Sequence, residues 1–247
     1  MRTVKVHFAG TGNAFNSDAH LNQSIIIEYD GNFLAVDAGP TFLYGIEKTG
    51  LPSGNVNRIL LTHFHGDHIA GIPFQLINFA FIHRQTKLFI AGPSGTEKRI
   101  TQLMDATYPE VPYRDWLEFT EFDVIRKDAI RLTNAFVVDT FPMLHTWESL
   151  GYVVSVGGKQ IAITGDTRWN TTIPLLMDNR DLGIIECTLV NKGESDHISL
   201  EELLEYRHQL HCKTLIALHT DNTVRNEIRR RGVQSIRVID DGEMVVV

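Results

Sequence analysis

The stretch LLTHFHGDHIAG, residues 60–71, holds His63, His65, Asp67 and His68 within six positions, directly after an apolar run. Imidazoles and a carboxylate crowded beside apolar neighbours are costly to desolvate unless something compensates them, and a metal cation satisfies all of them at once. His63 and His65, two residues apart, can reach one ion from an extended loop. Asp67 and His68 lie on the next turn and can serve a second. Imidazole nitrogen and carboxylate oxygen without thiolate suit Zn(II), Mn(II) or Fe(II), with zinc favoured by affinity. Gly66 and Gly71 fit a tight loop with unusual backbone angles. A polar surface turn with chance histidines is the bland alternative.

The elements that would position such a site show a regularity. The apolar runs RILLTHFH, IAITGD, LGIIE and TLIALH each end at ionisable residues: His63 and His65, Asp166, Glu186 and His219. In sheet-based folds the strand ends held by a packed core are where loops converge, so these residues are expected to face one edge. Strands are predicted for TVKVHFAG, for QSIIIEYDGNFLAVDAG with a hairpin turn at Asp30-Gly31, and for KLFIAG, DAIRLTNAFVVDTFPML, SLGYVVSVGG and KQIAITGD. Helices are predicted for IPFQLINFAFIHR, for residues 96–108, and for SLEELLEYRHQL, which opens with a capping box of Ser199 and Glu202. Residues 109–116, rich in proline and aromatics, read as an irregular loop.

The 247 residues are 43% hydrophobic and 21% charged, enough for one large domain, 1–247, with a substantial core. There is no apolar run of about 18 residues, and the opening MRTVKVHFAG alternates like a strand, so a cytoplasmic protein without membrane association is expected. Two cysteines are neither a disulfide scaffold nor a thiolate zinc site. A formal charge of -7 argues against broad nucleic-acid binding, while a small anionic substrate stays compatible because bound dications reverse the local sign. The cluster Arg229, Arg230 and Arg231 reads as complementing a helix C-terminus, with a phosphate or a neighbouring subunit as the alternative.

THFHGDHIAG resembles the signature of the metallo-β-lactamase superfamily, and later residues continue the match in order: His145 in PMLHT, Asp166 in AITGDT and His219 in ALHT. Alone, His145 would read as a loop histidine, Asp166 as a turn or cap residue and His219 as a polar strand terminus; their order and strand-end placement favour ligands. The resemblance implies one metal held by His63, His65 and His145, a second by Asp67, His68 and His219, and Asp166 bridging both. It also implies an α/β, four-layer αβ/βα sandwich (the metallo-β-lactamase fold), with two central mixed sheets, helices outside and a dinuclear site at one edge. GTGNAF and LAVDAG resemble the first strands of the family. Asp37 in the latter is either an acceptor that orients a ligand histidine or a turn residue.

Glu186 in IIECTL and His197 in SDHISLEEL resemble the Glu and His that ribonuclease Z and related phosphodiesterases place beside the metals, as does the run HTWESLGYVV. A histidine polarised by a carboxylate can protonate a leaving oxygen. The alternative is that Glu186 ends a strand and His197 precedes a capped helix. The catalytic set implied is Asp67, Glu186 and His197, with a metal-bridging hydroxide attacking phosphorus. Ribonuclease Z carries a long tRNA-gripping arm between the positions of His145 and Asp166, whereas only twenty residues separate them here. The chain thus looks closer to armless relatives such as the cyclic-nucleotide-degrading enzymes that phages use against Pycsar defence.

The expectation is a dinuclear metal-dependent hydrolase of small phosphodiesters, plausibly cyclic nucleotides, and, by analogy with relatives, a homodimer. Rival readings are a tRNA 3′-processing endoribonuclease, a lactone or thioester hydrolase, and a non-enzymatic nucleotide-binding or metal-sensing module. A diiron oxidoreductase fits less well, because such relatives replace the second histidine with Glu. Phe15, Tyr108, Tyr113, Trp116, Trp147 and Trp169 lie in loop-like stretches and are candidates to stack a base. His7, His20, His83, His208 and His211 lack motif company and read as structural or solvated.

Overall fold

Ser24-Ile25-Ile26-Ile27 is apolar on both faces of a strand, a pattern that only a sheet covered on both sides tolerates. The structure, a computed structural model describing residues 2–82 and 86–247, shows what covers it; His83 lies outside the described residues. The first half of the chain comprises β1 (Lys5–Gly10), β2 (Ser24–Tyr29), β3 (Asn32–Val36), α1 (Phe42–Thr49), β4 (Arg58–Leu60), α2 (Gly66–Ile69), α3 (Ile72–Phe81), β5 (Leu88–Pro93), α4 (Thr96–Thr107) and β6 (Leu117–Phe122). The second half runs β7 (Lys127–Arg131), β8 (Val137–Pro142), β9 (Leu150–Val156), β10 (Lys159–Ile163), α5 (Thr172–Met177), β11 (Arg180–Glu186), α6 (Leu200–Glu205), β12 (Cys212–Leu218), α7 (Asn222–Arg230), β13 (Arg237–Val238) and β14 (Met244–Val246). Two seven-stranded sheets result, ordered β14-β1-β2-β3-β4-β5-β6 and β13-β12-β11-β10-β9-β8-β7.

Ile25 and Ile27 pack between the sheets with Phe8, Leu34, Tyr152, Val154, Ile161 and Ile184, whereas Ile26 faces outward onto Phe42, Ile46 and Leu76 of α1 and α3. The second sheet repeats the division: Ala162, Ile185 and Ala217 turn outward to Leu176, Leu203 and Ile228 of α5, α6 and α7. Three apolar interfaces therefore separate four layers, helix, sheet, sheet, helix, as the resemblance implied.

β3, β4, β5 and β6 are parallel, as are β10, β11, β12 and β13. Their C-terminal ends consequently open on common edges. The sheets are tied there: the Tyr152 hydroxyl donates to the Leu61 carbonyl at 2.6 Å, and Leu150 N–H donates to the Thr62 carbonyl at 2.9 Å.

Some local expectations hold and others fail for identifiable reasons. Asp30 and Gly31 both have positive φ, 51° and 73°, the mirror-image turn that matches strand twist. The Ser199–Glu202 capping box is present at α6. DAIRLTNAFVVDTFPML is not one strand but the antiparallel pair β7 and β8, because the Thr133 hydroxyl accepts from Ala135 and Phe136 N–H and turns the chain. Strand β6, with Glu118 and Glu121 on an edge, and helices α1 and α5 were not legible in the periodicity.

The glycines of the histidine motif correct another expectation. Gly71 has φ -82°, an ordinary value, but a Cβ there would lie 2.0 Å from the Gly39 carbonyl oxygen. Close backbone approach, not unusual torsion, excludes a side chain. At Gly66 the corresponding space is open. Gly71→Ala is expected to lower the unfolding free energy by about 2 kcal/mol or more, and Gly66→Ala to change it by less than about 0.5 kcal/mol. Urea midpoints of the two variants check this; equal midpoints would contradict the contact argument.

Candidate active site

Each residue of interest sits just past a strand end. Asp37 follows β3; Leu61, Thr62 and His63 follow β4; His145 follows β8; Asp166 follows β10; Glu186 ends β11; and His219 follows β12. Asp37 and His219 hold left-handed φ values of 62° and 56°. For non-glycine residues this costs on the order of 1 kcal/mol each and persists only where the surroundings enforce it.

All seven predicted ligand residues come together. Donor atoms of His63, His65 and His145 lie within 4.8 Å of one another, as do those of Asp67, His68, Asp166 and His219. Asp166 Oδ2 is 3.3 Å from both His68 Nε2 and His219 Nε2 and 4.0 Å from His63 Nε2 and His145 Nε2. It stands between the two groups, where a bridging carboxylate must be. Asp67 Oδ2 is 3.2 Å from His68 Nε2 and 3.3 Å from His219 Nε2.

Hydrogen bonds behind the cluster decide which nitrogen each imidazole presents. The Thr62 hydroxyl donates to the Asp37 carboxylate (2.9 Å), so its oxygen accepts from His63 Nδ1 (3.0 Å). His68 Nδ1 donates directly to Asp37 Oδ2 at 2.8 Å. Likewise the Thr188 hydroxyl donates to Glu186 Oε2 (2.9 Å) and accepts from His219 Nδ1 (2.8 Å). His145 Nδ1 donates to the Asp196 carbonyl at 3.1 Å. In all four rings the remaining Nε2 lone pair turns toward the cluster.

That arrangement is the test of whether metal fits. His63 Nε2, His68 Nε2 and Asp166 Oδ1 are buried without a hydrogen-bond partner among the described residues. His145 Nε2, an acceptor, stands 3.0 Å from His65 Nδ1. Converging acceptors with no donor are destabilising on their own and suited to ions held at about 2 Å. Burial, with the neighbouring His68 adding to it, pushes His63 well below the ordinary histidine range, keeping its lone pair available. Burial likewise lowers His145. At His68 burial opposes charge, but Asp166 and Asp37 outweigh it and raise the pKa well above the usual value, so the ion-free ring carries a second proton on Nε2 beside Asp166 that a bound cation would displace. Burial would raise Asp166, yet the imidazoles of His219 and His68 hold it well below the carboxylate range. The donor set fits two divalent cations.

Beside the cluster lies the predicted pair. His197 Nδ1 donates to Glu186 Oε1 at 2.9 Å, and the His197 ring stands 4.8 Å from that of His145 and 5.4 Å from that of His219. Glu186 is buried, and it also accepts from the backbone of Thr167 and Ile198. Burial works to lower the His197 pKa; the Glu186 hydrogen bond and charge outweigh it and bring it to about 9.

Asp37 is therefore an acceptor that orients rings of both groups, His68 directly and His63 through Thr62, and not merely a turn residue. Thr62 and Thr188 were missed as hydroxyl relays, although the sequence places them directly before His63 and two residues after Glu186. Of the aromatic candidates, Tyr113 is buried, Trp116 packs under the helices, and Trp169 stacks on Tyr206 at 4.5 Å. Phe15 and Trp147 remain exposed, at 86% and 74%. His7 bonds Glu28, His20 bonds Asn222, and Arg230 and Arg231 are paired with Glu227. A hollow of about 450 Å³ lined by Arg58, Phe89 and Arg131 opens at the starts of β4 and β5, the opposite edge from this chemistry.

A helix–sheet–sheet–helix sandwich with seven His and Asp side chains converging on one edge defines a metal-dependent hydrolase of the metallo-β-lactamase superfamily, in its ribonuclease Z-like branch. The family described as Anti-Pycsar protein Apyc1 matches residues 4–243, and the chain belongs to it. It is 28% identical over 231 residues to ribonuclease Z of Methanococcus maripaludis, covering 86% of this chain and 74% of that one. In fold it is similar to the metallo-β-lactamase fold protein YhfI of Bacillus subtilis (TM-score 0.83, 16% identity, 100% of both chains). It is also similar to human tRNase Z, short form (TM-score 0.76, 22% identity, 98% of both chains).

If Asp37 orients ligands of both groups, Asp37→Ala should weaken metal binding about 10- to 100-fold while the chain still folds. Metal content by elemental analysis after dialysis, with circular dichroism as the folding control, checks this; full retention of both ions would refute it.

Proposed function

We propose that the chain hydrolyses small phosphodiesters, cyclic nucleotides foremost, with His63, His65 and His145 holding one divalent cation, Asp67, His68 and His219 a second, and Asp166 bridging them. The observation that carries this reading is the Glu186–His197 pair set against the metal cluster, since a protonated imidazole beside the ions is the part that a phosphodiester with a poor leaving oxygen requires. Two dications there, zinc favoured by the donors, supply Lewis acidity toward the phosphate oxygens and an activated water as nucleophile.

The chain's own groups do the rest. Asp67, whose Oδ2 lies 3.2 Å from His68 Nε2, would both help to hold the second ion and orient the attacking water. His197 holds its proton on Nε2, because Nδ1–H is committed to Glu186, and delivers it to the departing ribose oxygen. Glu186 keeps that imidazole charged and aimed. A lactone or thioester would leave this pair with no comparable task, which favours the phosphodiester.

A second reading, cleavage of precursor tRNA, draws support from the ribonuclease Z relatives. Against it, the interval from His145 to Asp166 is filled by the β9–β10 hairpin with its Gly157-Gly158 turn, in place of a tRNA-gripping arm, and the net charge is -7. Tight, salt-sensitive retention of precursor tRNA in a gel-shift titration would favour the second reading.

Metal-loaded protein should turn over 3′,5′-cyclic nucleotides and bis-p-nitrophenyl phosphate but not lactones or thioesters, and Asp166→Ala should abolish this turnover and lower metal content, because both ions lose a shared ligand. His197→Ala should keep its metal and slow esters with poor leaving groups about a hundredfold or more, with a much smaller effect on good ones. Equal losses across leaving groups would remove the acid role.

A further inference from the structure

A hollow of about 510 Å³ lined by Phe64, Lys98, Arg99, Gln102 and Trp147 lies between α4 and the loops that carry His63, His65 and His145. Phe64 stands in the chain between His63 and His65, and Trp147 two residues after His145, so the hollow borders the three-histidine group. We propose that it is the subsite for the nucleobase of the substrate: Trp147 and Phe64 contact the ring faces, and Arg99 and Lys98 donate to acceptor atoms on the base edge. This rests on the phosphodiesterase reading and extends it to the residues that would receive the base.

Three observations support the assignment. The Trp147 indole is 74% exposed, whereas Trp116 and Trp169 each pack against neighbours. A large aromatic left in water beside a reaction centre is suited to stacking a flat ligand. Lys98 and Arg99 are exposed and have no acidic partner among the described residues, in a chain whose net charge is -7; the Arg99 guanidinium lies 5.8 Å from the Phe64 ring centre. Finally, the N-terminus of α4 is already satisfied, because the Glu121 carboxylate accepts from Gly95 and Glu97 N–H at 3.0 and 2.8 Å. The donors that remain free for a ligand in this hollow are thus the side chains of Lys98 and Arg99, not the backbone groups of the helix end. A volume in this range holds a base with its ribose.

The test compares two substrates of the full-length, zinc-loaded protein: 3′,5′-cyclic AMP, and the base-free 1-O-methylribose 3′,5′-cyclic phosphate. Trp147→Ala should lower kcat/KM for cyclic AMP about tenfold, chiefly through KM, but for the base-free ester less than about twofold; Trp147→Phe should recover most of the loss. Arg99→Ala should follow the same pattern. Equal losses on the two esters, or no loss on either, would overturn the assignment. If the wild-type protein turns over neither ester, the hydrolase reading fails and the subsite is judged by titrating tryptophan fluorescence with cyclic AMP. A saturable quench that Trp147→Phe removes supports it, and absence of any quench overturns it.

Discussion

The structure depends on one unfavourable arrangement that a cation would make favourable: buried imidazole nitrogens and carboxylate oxygens converging with too few hydrogen-bond partners to satisfy them. Four imidazole Nε2 atoms and the carboxylates of Asp67 and Asp166 face a common volume. Left alone, such a cluster costs desolvation energy and electrostatic repulsion. Cations held there would offset that cost, and the left-handed torsions of Asp37 and His219 are tolerable in that context.

Two buried carboxylates make the convergence specific. Asp37 reaches His68 directly and His63 through Thr62, so one side chain sets ring orientation in both ligand groups. Glu186 reaches His197 directly and His219 through Thr188, so it couples a ring of the cluster to the ring beside it. The chain thereby links binding of the ions to placement of the acid, and disturbance of either carboxylate is felt at two positions rather than one.

The sandwich supplies the rigidity that this geometry needs. Three separate apolar interfaces hold the sheets and helices, and the cross-sheet hydrogen bonds of Tyr152 and Leu150 clamp the loop carrying His63 against the second sheet. The hollow beside α4, in contrast, is built from exposed side chains on loops and on α4, where Trp147, Lys98 and Arg99 can differ without disturbing the core. The His and Asp cluster and the exposed hollow are thus carried by different parts of the fold.

The convergence of seven side chains was legible in the sequence because metal chemistry restricts residue type and spacing so strongly: His63, His65, Asp67 and His68 announce themselves, and His145, Asp166 and His219 follow at strand ends. The hairpin at Asp30-Gly31 and the capping box at Ser199 were equally readable, being local. Strand β6, the division of β7 from β8 and the close approach of Gly71 to Gly39 were not, since they are set by neighbours distant in sequence. Only the tertiary structure decided that Asp37 orients ligands, that Thr62 and Thr188 relay hydrogen bonds, and which aromatics stay in water. A hydrogen bond or an exposed face depends on where the other end of the chain arrives, and periodicity carries no information about that.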